Sequence, residues 1–447
     1  MKYSPITEDQ KQDILKDIGI KNVSTLFEDL PNNKKVDINL PPAISELGLR
    51  KTLTSLSTKN NCDYISFIGG GSYDHFIPSV IKHLISRSEF YTAYTPYQPE
   101  ISQGTLRAIF EFQSMICELT GMDIANASMY DGASAIAEAC VMTFQATKRK
   151  KVLLPNSIAP NYIEVLHTYL DPKDIKIDLF KSDIFYLFDE AKFISLLTEE
   201  HCSIVLPYPD FFGNIINYKN IIKKAKDLGI AVIFLYDPTS LALLESPGKL
   251  GADIAVGEGQ SLGLATSFGG PALGLLSAKK SFLRSMPGRI VGKTNDKDGN
   301  TGYVLTFQTR EQHIKREKSL SNICSNQGLM ALSATIYLAY MGSKGLRRVA
   351  EMCYKKCSYL KDGISKIPGF QILNQNPTYK EFLVSTPINA DSLLKTLKKE
   401  GILGGINCSK YHKVANNTLL ISVTENKTQS ELNSFIDTLK KVTSKKL

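Results

Sequence analysis

Between Tyr64 and Leu276 short β-branched or aliphatic runs alternate with helical stretches, and that alternation constrains the fold more than any other feature of the chain. The runs are Val152-Leu153-Leu154, residues 175–180, residues 203–207, residues 231–236, Ile254-Ala255-Val256 and residues 272–276. Strands separated by helices need crossover connections, and crossovers give a mainly parallel sheet covered by helices on both faces. The expected fold class is therefore α/β. At 447 residues the chain is too long for one core, so a large domain with a smaller one beside it is expected.

The flanking segments read differently. Residues 1–62 hold one helical pattern over 7–17, a polar break at Pro31-Asn32-Asn33 and a second apolar-periodic piece after Pro41-Pro42, which together read as an arm. The large domain is placed at 63–325. Near its end the polar, glycine-containing stretch 292–300 reads as a mobile loop. A helical region over 327–367, interrupted near Gly342 to Gly345, then leads through strand, strand, helix, strand and helix, a small α+β domain within 326–447.

Net charge is +9, but the lysines are scattered along helical faces and no arginine-rich stripe with interleaved aromatics occurs. Solvated faces, and no nucleic-acid surface, follow from that pattern. The eight cysteines show no repeating spacing. Cys353 and Cys357 stand one helical turn apart without neighbouring histidines, a poor metal signature, so no metal site is expected and the thiols are read as reduced. No apolar run of about 18 residues is present, and the N-terminus reads as neither a signal nor an anchor, so a cytoplasmic protein without membrane contact is expected.

Five strings stand out as candidate chemistry. Residues 90–104 carry three tyrosines beyond Phe90, two prolines and Gln98, Glu100 and Gln103, a poor helix and a poor strand. Loops that rich in polar-tipped aromatics serve as sites, with a packed connecting loop as the plain alternative. Asp131, Gly132 and Ser134 precede a helix of Ala, Ile and Glu, whose free amides face an anion unless Asp131 caps them itself; both readings stand. The string Pro207-Tyr208-Pro209-Asp210-Phe211-Phe212-Gly213-Asn214 follows a strand, at the sheet edge where open α/β folds bind ligands, or is simply a turn. Residues 308–327, with Arg310, His313, Arg316 and Lys318, read either as a solvated helical face or as a polar wall, and His313 as structural before catalytic. Gly69-Gly70-Gly71 lacks the context of a phosphate loop and reads as close backbone packing at a turn.

One further segment is defined by what it lacks. A buried-looking strand ends in Asp237, a short strand follows at residues 254–256, and then comes Gly257-Glu258-Gly259-Gln260-Ser261-Leu262-Gly263. In this order aminotransferase-like folds place a carboxylate for a pyridine nitrogen and then a Schiff-base lysine. Gln260 stands at the lysine's place, and no lysine occurs between Lys249 and Lys279. A glutamine forms no imine.

These strings, in this order over nearly the whole chain, resemble the P-protein family of the glycine cleavage system, in the split form in which glycine decarboxylase is built from two subunits and this chain corresponds to the first, alpha, one. The resemblance implies an aminotransferase-like large domain of the pyridoxal-phosphate fold type I. It implies an alpha2-beta2 heterotetramer in which a homologous second subunit holds pyridoxal phosphate covalently. Glycine is then decarboxylated and its aminomethyl group passes to the lipoyl arm of the H-protein. On that footing Tyr94, Tyr97, Gln98 and Glu100 are expected to reach the partner's active site, while Asp131, Ser134 and Asp237 belong to a degenerate site of this chain. Two rivals remain: a self-sufficient enzyme using Lys279 or Lys280, and a scaffold subunit without any catalytic part.

Overall fold

The computed structural model describes residues 5–30, 39–61, 63–307, 316–318, 325–411 and 417–444, and residues 1–62 and 63–447 separate into two compact units. In the first unit, helix Glu8–Ile18 starts at a reciprocal capping box between Thr7 and Gln10 and stops at Gly19, whose φ of 82° a side chain would resist. A second helix, Glu46–Ser57, is capped by Ser45 and buries no residue.

The second unit is built on a seven-stranded sheet. In chain order the unit's first eight strands are β1 (Ile65–Ser66), β2 (Ile124–Ala125), β3 (Lys151–Pro155), β4 (Lys176–Phe180), β5 (His201–Tyr208), β6 (Ala231–Tyr236), β7 (Ile254–Glu258) and β8 (Gly274–Ala278). Spatial order in the large sheet is β2-β8-β7-β6-β5-β3-β4, with β8 antiparallel to β7 and the pairs from β7 to β4 parallel. All eight residues of β5 are buried, as a central parallel strand covered on both faces must be. One apolar cluster, including Phe112, Phe180, Phe193, Phe234 and Tyr337, fills one side, and another, including Met129, Ile136, Leu154 and Val256, fills the other.

Where residues 292–300 read as a mobile loop, the chain forms an antiparallel hairpin of β9 (Ile290–Asn295) and β10 (Thr301–Phe307). The Asp296 carboxylate staples the turn by accepting the backbone N–H groups of Asp298 at 2.9 Å and Asn300 at 2.8 Å. Polar composition there reflects an exposed ribbon and an Asx-type turn, and no periodicity could separate that from a loop. Helix Ser325–Ser365 is kinked at Gly342, with φ 59° and ψ −178°, at the interruption read from the sequence. After it come β11 (Gln371–Ile372), β12 (Glu381–Ser385), helix Ala390–Lys399, β13 (Ile402–Leu403), β14 (Ile406–Asn407), β15 (Thr418–Ser422) and helix Gln429–Ser444. β11, β12, β15 and β14 make a four-stranded antiparallel sheet, and β13 pairs with β1. Three of these strands, β11, β13 and β14, have only two residues each, too short for any periodicity to declare them.

Candidate functional site

The carboxyl edge of the large sheet collects Asp131, Ser134, Asp237 and Gln260 among the side chains that the sequence singled out, and it places each against another group of the same chain. Asp237 follows β6. Its Oδ1 accepts the backbone N–H of Thr239 at 2.9 Å and the Thr239 hydroxyl at 2.6 Å, the turn that ends the strand. Its Oδ2 meets Lys380 Nζ at 2.5 Å, both side chains being largely buried. Burial alone raises the pKa of Asp237, but the Lys380 charge and the hydrogen bonds from Lys380 and Thr239 outweigh it and leave it lowered.

Lys380 immediately precedes β12 of the smaller sheet and was not picked out by sequence reasoning, because nothing local marks a lysine that will be 3 % exposed. Its ammonium lies 3.6 Å from the centroid of the Tyr73 ring and 3.1 Å from His75 Nε2. An ammonium only donates, so His75 Nε2 accepts and Nδ1 carries the proton, which it donates to Glu425 Oε2 at 2.7 Å. Glu425 also accepts the Phe76 backbone N–H at 2.9 Å and the Cys353 thiol at 3.3 Å. Burial would raise its pKa, yet the His75 contact holds it down at about 2. His75, Cys353 and Glu425 form a donor set of the size a metal ion needs. The Lys380 ammonium on the His75 ring opposes a cation there, since it claims a ring nitrogen and repels positive charge.

Gln260 is buried and works as a clamp. Its Oε1 accepts the backbone N–H of Tyr73 at 3.0 Å and its Nε2 donates to the Tyr73 carbonyl at 3.0 Å and the Leu264 carbonyl at 2.8 Å. An amide side chain offers both a donor and an acceptor to the backbone of one residue in this way; a lysine would leave the Tyr73 N–H unmatched. The glycine turn leading to Tyr73 is packed as tightly as its composition implied: a Cβ on Gly69 would come within 2.5 Å of the Ser422 Cβ. Tyr73 OH donates to Glu381 Oε2 at 2.7 Å.

At the other end of the site, helix Gly132–Thr147 begins with a capping box in which Asp131 Oδ1 accepts Ser134 N–H at 2.6 Å and Ser134 Oγ accepts Asp131 N–H at 3.1 Å. A second amide of that turn, Gly132 N–H, is taken by Glu258 Oε2 at 2.9 Å. Glu258 Oε1 accepts Gln260 N–H and Leu273 N–H, both at 3.0 Å. Of the two readings open for this helix start, the capped one describes the amides. Burial, with Asp131 adding repulsion, pushes the Glu258 carboxyl up to about 7 despite these bonds. Asp210, in the turn after β5, is buried, accepts Phe212 N–H at 3.0 Å and Asn214 N–H at 2.8 Å, and is likewise pushed up to about 7 by burial.

Between these groups a cavity of about 90 Å³ remains, touched by Tyr73, Tyr162, Asp210, Asp237, Glu258 and Gln260. None of the four loop residues Tyr94, Tyr97, Gln98 and Glu100 lines it. Tyr94 is 77 % and Tyr97 51 % exposed, and Gln98 and Glu100 are also exposed. The loop is tied down behind them: Gln103 Nε2 donates to the carbonyls of Pro99 at 2.7 Å and Tyr303 at 2.9 Å, and Tyr97 OH accepts from Arg289 Nη2 at 3.0 Å. Arg289 is another residue that the sequence did not flag. Arg310 and His313, considered for a polar wall, lie outside the described residues. Lys279, a rival for the missing lysine, is paired with Asp253 at 2.5 Å and does not line the cavity.

A mainly parallel sheet with ligand-edge residues after β5, β6 and β7, joined to a small antiparallel sheet, is the aminotransferase-like arrangement of the fold type I pyridoxal-phosphate enzymes. A glutamate decarboxylase from Lactobacillus brevis shares the fold at a TM-score of 0.68 over 94 % of this chain and 96 % of its own, with 12 % identity. The chain belongs to the glycine cleavage system P-protein family, whose model matches residues 1–439. It is similar to the probable glycine dehydrogenase (decarboxylating) subunit 1 of Desulforamulus reducens, at 46 % identity over 97 % of this chain and 98 % of the relative. It is also similar to a glycine decarboxylase (P-protein) of the glycine cleavage system solved in an inhibitor-bound form, with TM-score 0.87 and 37 % identity over 99 % of this chain and 100 % of that one.

The cofactor of that fold does not fit the residues at this edge. Small-molecule sites run to about 300–1,000 Å³, well above the roughly 90 Å³ between Asp237 and Gln260. No lysine among the described residues lines the cavity, two of the amides at the start of helix Gly132–Thr147 are taken by Asp131 and Glu258, and Asp237 already has a cation.

Proposed function

We propose that this chain is the alpha half of a two-subunit glycine decarboxylase, which holds no cofactor itself and completes the active site of a homologous beta subunit. The observation that carries the reading is the pairing at the sheet edge: Gln260 bonded to Tyr73, Asp237 to Lys380, and Gly132 N–H to Glu258. A chain whose own site is closed by its own side chains, yet which belongs to a decarboxylase family, has to act through another chain. In this reading pyridoxal phosphate is bound covalently by the partner in an alpha2-beta2 heterotetramer, glycine is the substrate, and the aminomethyl product is handed to the lipoylated H-protein.

The part assigned to this chain is positional. Tyr94, Tyr97, Gln98 and Glu100 project from a loop tethered by Gln103 and Arg289. Exposed side chains on a braced backbone suit the task of orienting a carboxylate held by the partner, since catalytic groups act within tight geometric limits. No helix among the described residues is long and apolar enough to cross a membrane, in keeping with assembly in the cytoplasm.

Replacing Tyr94 and Tyr97 with Phe is expected to lower glycine turnover by the assembled enzyme about tenfold or more, while the subunits still co-elute in gel filtration. Turnover equal to wild type would leave only the scaffold role. Purified alone, the chain is expected to show no borohydride-reducible chromophore after incubation with pyridoxal phosphate. Such a chromophore would return the lysine to this chain.

A further inference from the structure

A larger cavity of about 530 Å³ is lined by Tyr208 of β5 and Phe234 of β6, and shares no residue with the small cavity between Asp237 and Gln260. The two rings meet edge to face, with centroids 5.6 Å apart. One side is formed by residues 215–219 and Ile222 of helix Lys219–Asp227, the other by Glu245, Lys249 and Leu250. Its volume falls within the range of about 300–1,000 Å³ for small-molecule sites. Ile216, Ile222, Phe234 and Leu250 give it apolar surface.

Three charged side chains line it, Lys219, Glu245 and Lys249, all of them exposed. Among the described residues none of the three makes an ion pair or a side-chain hydrogen bond, and Glu245 and Lys249, four positions apart, do not pair with each other. Exposed charges alone mark no site. The second observation is Tyr208, which is 7 % exposed and whose hydroxyl has no hydrogen-bond partner among the described residues. Unlike the hydroxyl of Tyr236, it is not sealed from solvent. Burial, and after it the Glu245 carboxylate, push the Tyr208 phenol up, so the two groups stand near each other. Tyr218, in the same lining, is satisfied within the chain, its hydroxyl donating to the Pro207 carbonyl at 3.0 Å. A largely buried hydroxyl left without such a partner is uncommon and points to a group supplied from outside.

We propose that this cavity binds a free α-amino acid with a bulky apolar side chain, its ammonium held by Glu245 and the Tyr208 oxygen and its carboxylate by Lys219 and Lys249. The side chain lies along Ile216, Ile222, Phe234 and Leu250. Both signs in the lining call for both signs in the ligand, since a plain anion would meet Glu245 and a plain cation would meet two lysines. A zwitterion supplies one partner for each, and such charge-assisted bonds are the strong ones. The size follows from the volume: glycine would leave most of the roughly 530 Å³ unfilled. The apolar body follows from the isoleucine, leucine and aromatic surface, which gains when water leaves it. This inference stands apart from the function proposed above, because it concerns a ligand of this chain alone and uses neither the tyrosine loop nor the site between Asp237 and Gln260.

The test is a calorimetric titration of the full-length chain with L-phenylalanine. Beside it run 3-phenylpropionate, which lacks the ammonium, phenethylamine, which lacks the carboxylate, and glycine, which lacks the body. Saturable L-phenylalanine binding at least about tenfold tighter than each of the other three is expected. Glu245→Gln is expected to weaken L-phenylalanine about tenfold or more and to leave 3-phenylpropionate no weaker. The double variant Lys219→Met/Lys249→Met is expected to weaken L-phenylalanine to the same degree and to leave phenethylamine no weaker. Tyr208→Phe is expected to weaken L-phenylalanine about threefold or more. If Tyr208→Phe fails to fold, the variants at the three exposed positions decide the matter. Absence of saturable L-phenylalanine binding, any comparison compound binding as tightly, or binding that survives Glu245→Gln, the double lysine variant or Tyr208→Phe unchanged would overturn the proposal.

Discussion

Lys380 shows how one side chain changes the meaning of another. Asp237 follows β6 at the carboxyl edge of the large sheet, and an ammonium from the start of β12 meets it there at 2.5 Å. The pair is buried, so each charge depends on the other. Lys380→Met is expected to cost about 3–5 kcal/mol, because it strands the Asp237 carboxylate in a low-dielectric site. The double variant Asp237→Asn/Lys380→Met is expected to recover most of that loss, and urea unfolding of the two variants and of Asp237→Asn gives the coupling directly. Additive losses would mean that the two charges are solvated independently. Gln260 is the same kind of residue: it is conspicuous in the sequence for what it cannot do, and in the structure its amide is the clamp on Tyr73.

Helix Gly132–Thr147 carries the lesson at the scale of elements. The same sequence of small residues after an acid serves an anion-binding turn or a capped helix, and the choice rests on which groups reach the free amides. Here Asp131 and Glu258 reach two of them, those of Ser134 and Gly132, the second carboxylate from the end of β7. Asp131→Ala is expected to destabilise the chain by about 1 kcal/mol through loss of the cap. Asp131→Asn keeps an acceptor while removing a charge. It should therefore retain most of the stability and lower the Glu258 pKa, since Asp131 repulsion contributes to its elevation. Chemical denaturation of both variants checks the order, and equal losses would show that the charge, not the hydrogen bond, sets the helix start. The hairpin at residues 290–307 shows the reverse error: its polar turn looked mobile because an Asx staple leaves no periodic signal.

For the whole molecule the buried carboxyls set how stability varies with acidity. Asp210, Glu258 and Glu381 are all pushed up to about 7, burial being the leading cause in each. Their pKa in the folded chain exceeds that in the unfolded one, so between about 4 and 7 the folded state holds more protons and stability falls as pH rises through 7. Glu425, held at about 2, and Asp237, also lowered, act oppositely: their contribution is lost as pH falls below about 4. Stability is expected to peak on the acid side of neutrality, and urea midpoints across pH 4 to 9 measure it. Glu381→Gln is expected to flatten the decline between about 5 and 7. A midpoint that climbs steadily from pH 5 to 8 would contradict the assignment.

The alternation of strands and helices, the kink at Gly342 and the family of the chain were legible from the sequence, because each rests on local periodicity or on the order of long motifs. The absence at Gln260 was legible too, since one residue type suffices to exclude an imine. What closes this edge was not. Lys380, Glu425, Glu258 and Arg289 meet residues far away in the chain, His75 and Glu425 being 350 positions apart, and nothing in the neighbourhood of a lysine or glutamate tells whether folding will bury it. Charge pairing and cavity volume arise only when segments remote in sequence are packed together, so tertiary structure alone decided that Asp237 faces an ammonium and that the sheet edge holds a cavity of about 90 Å³.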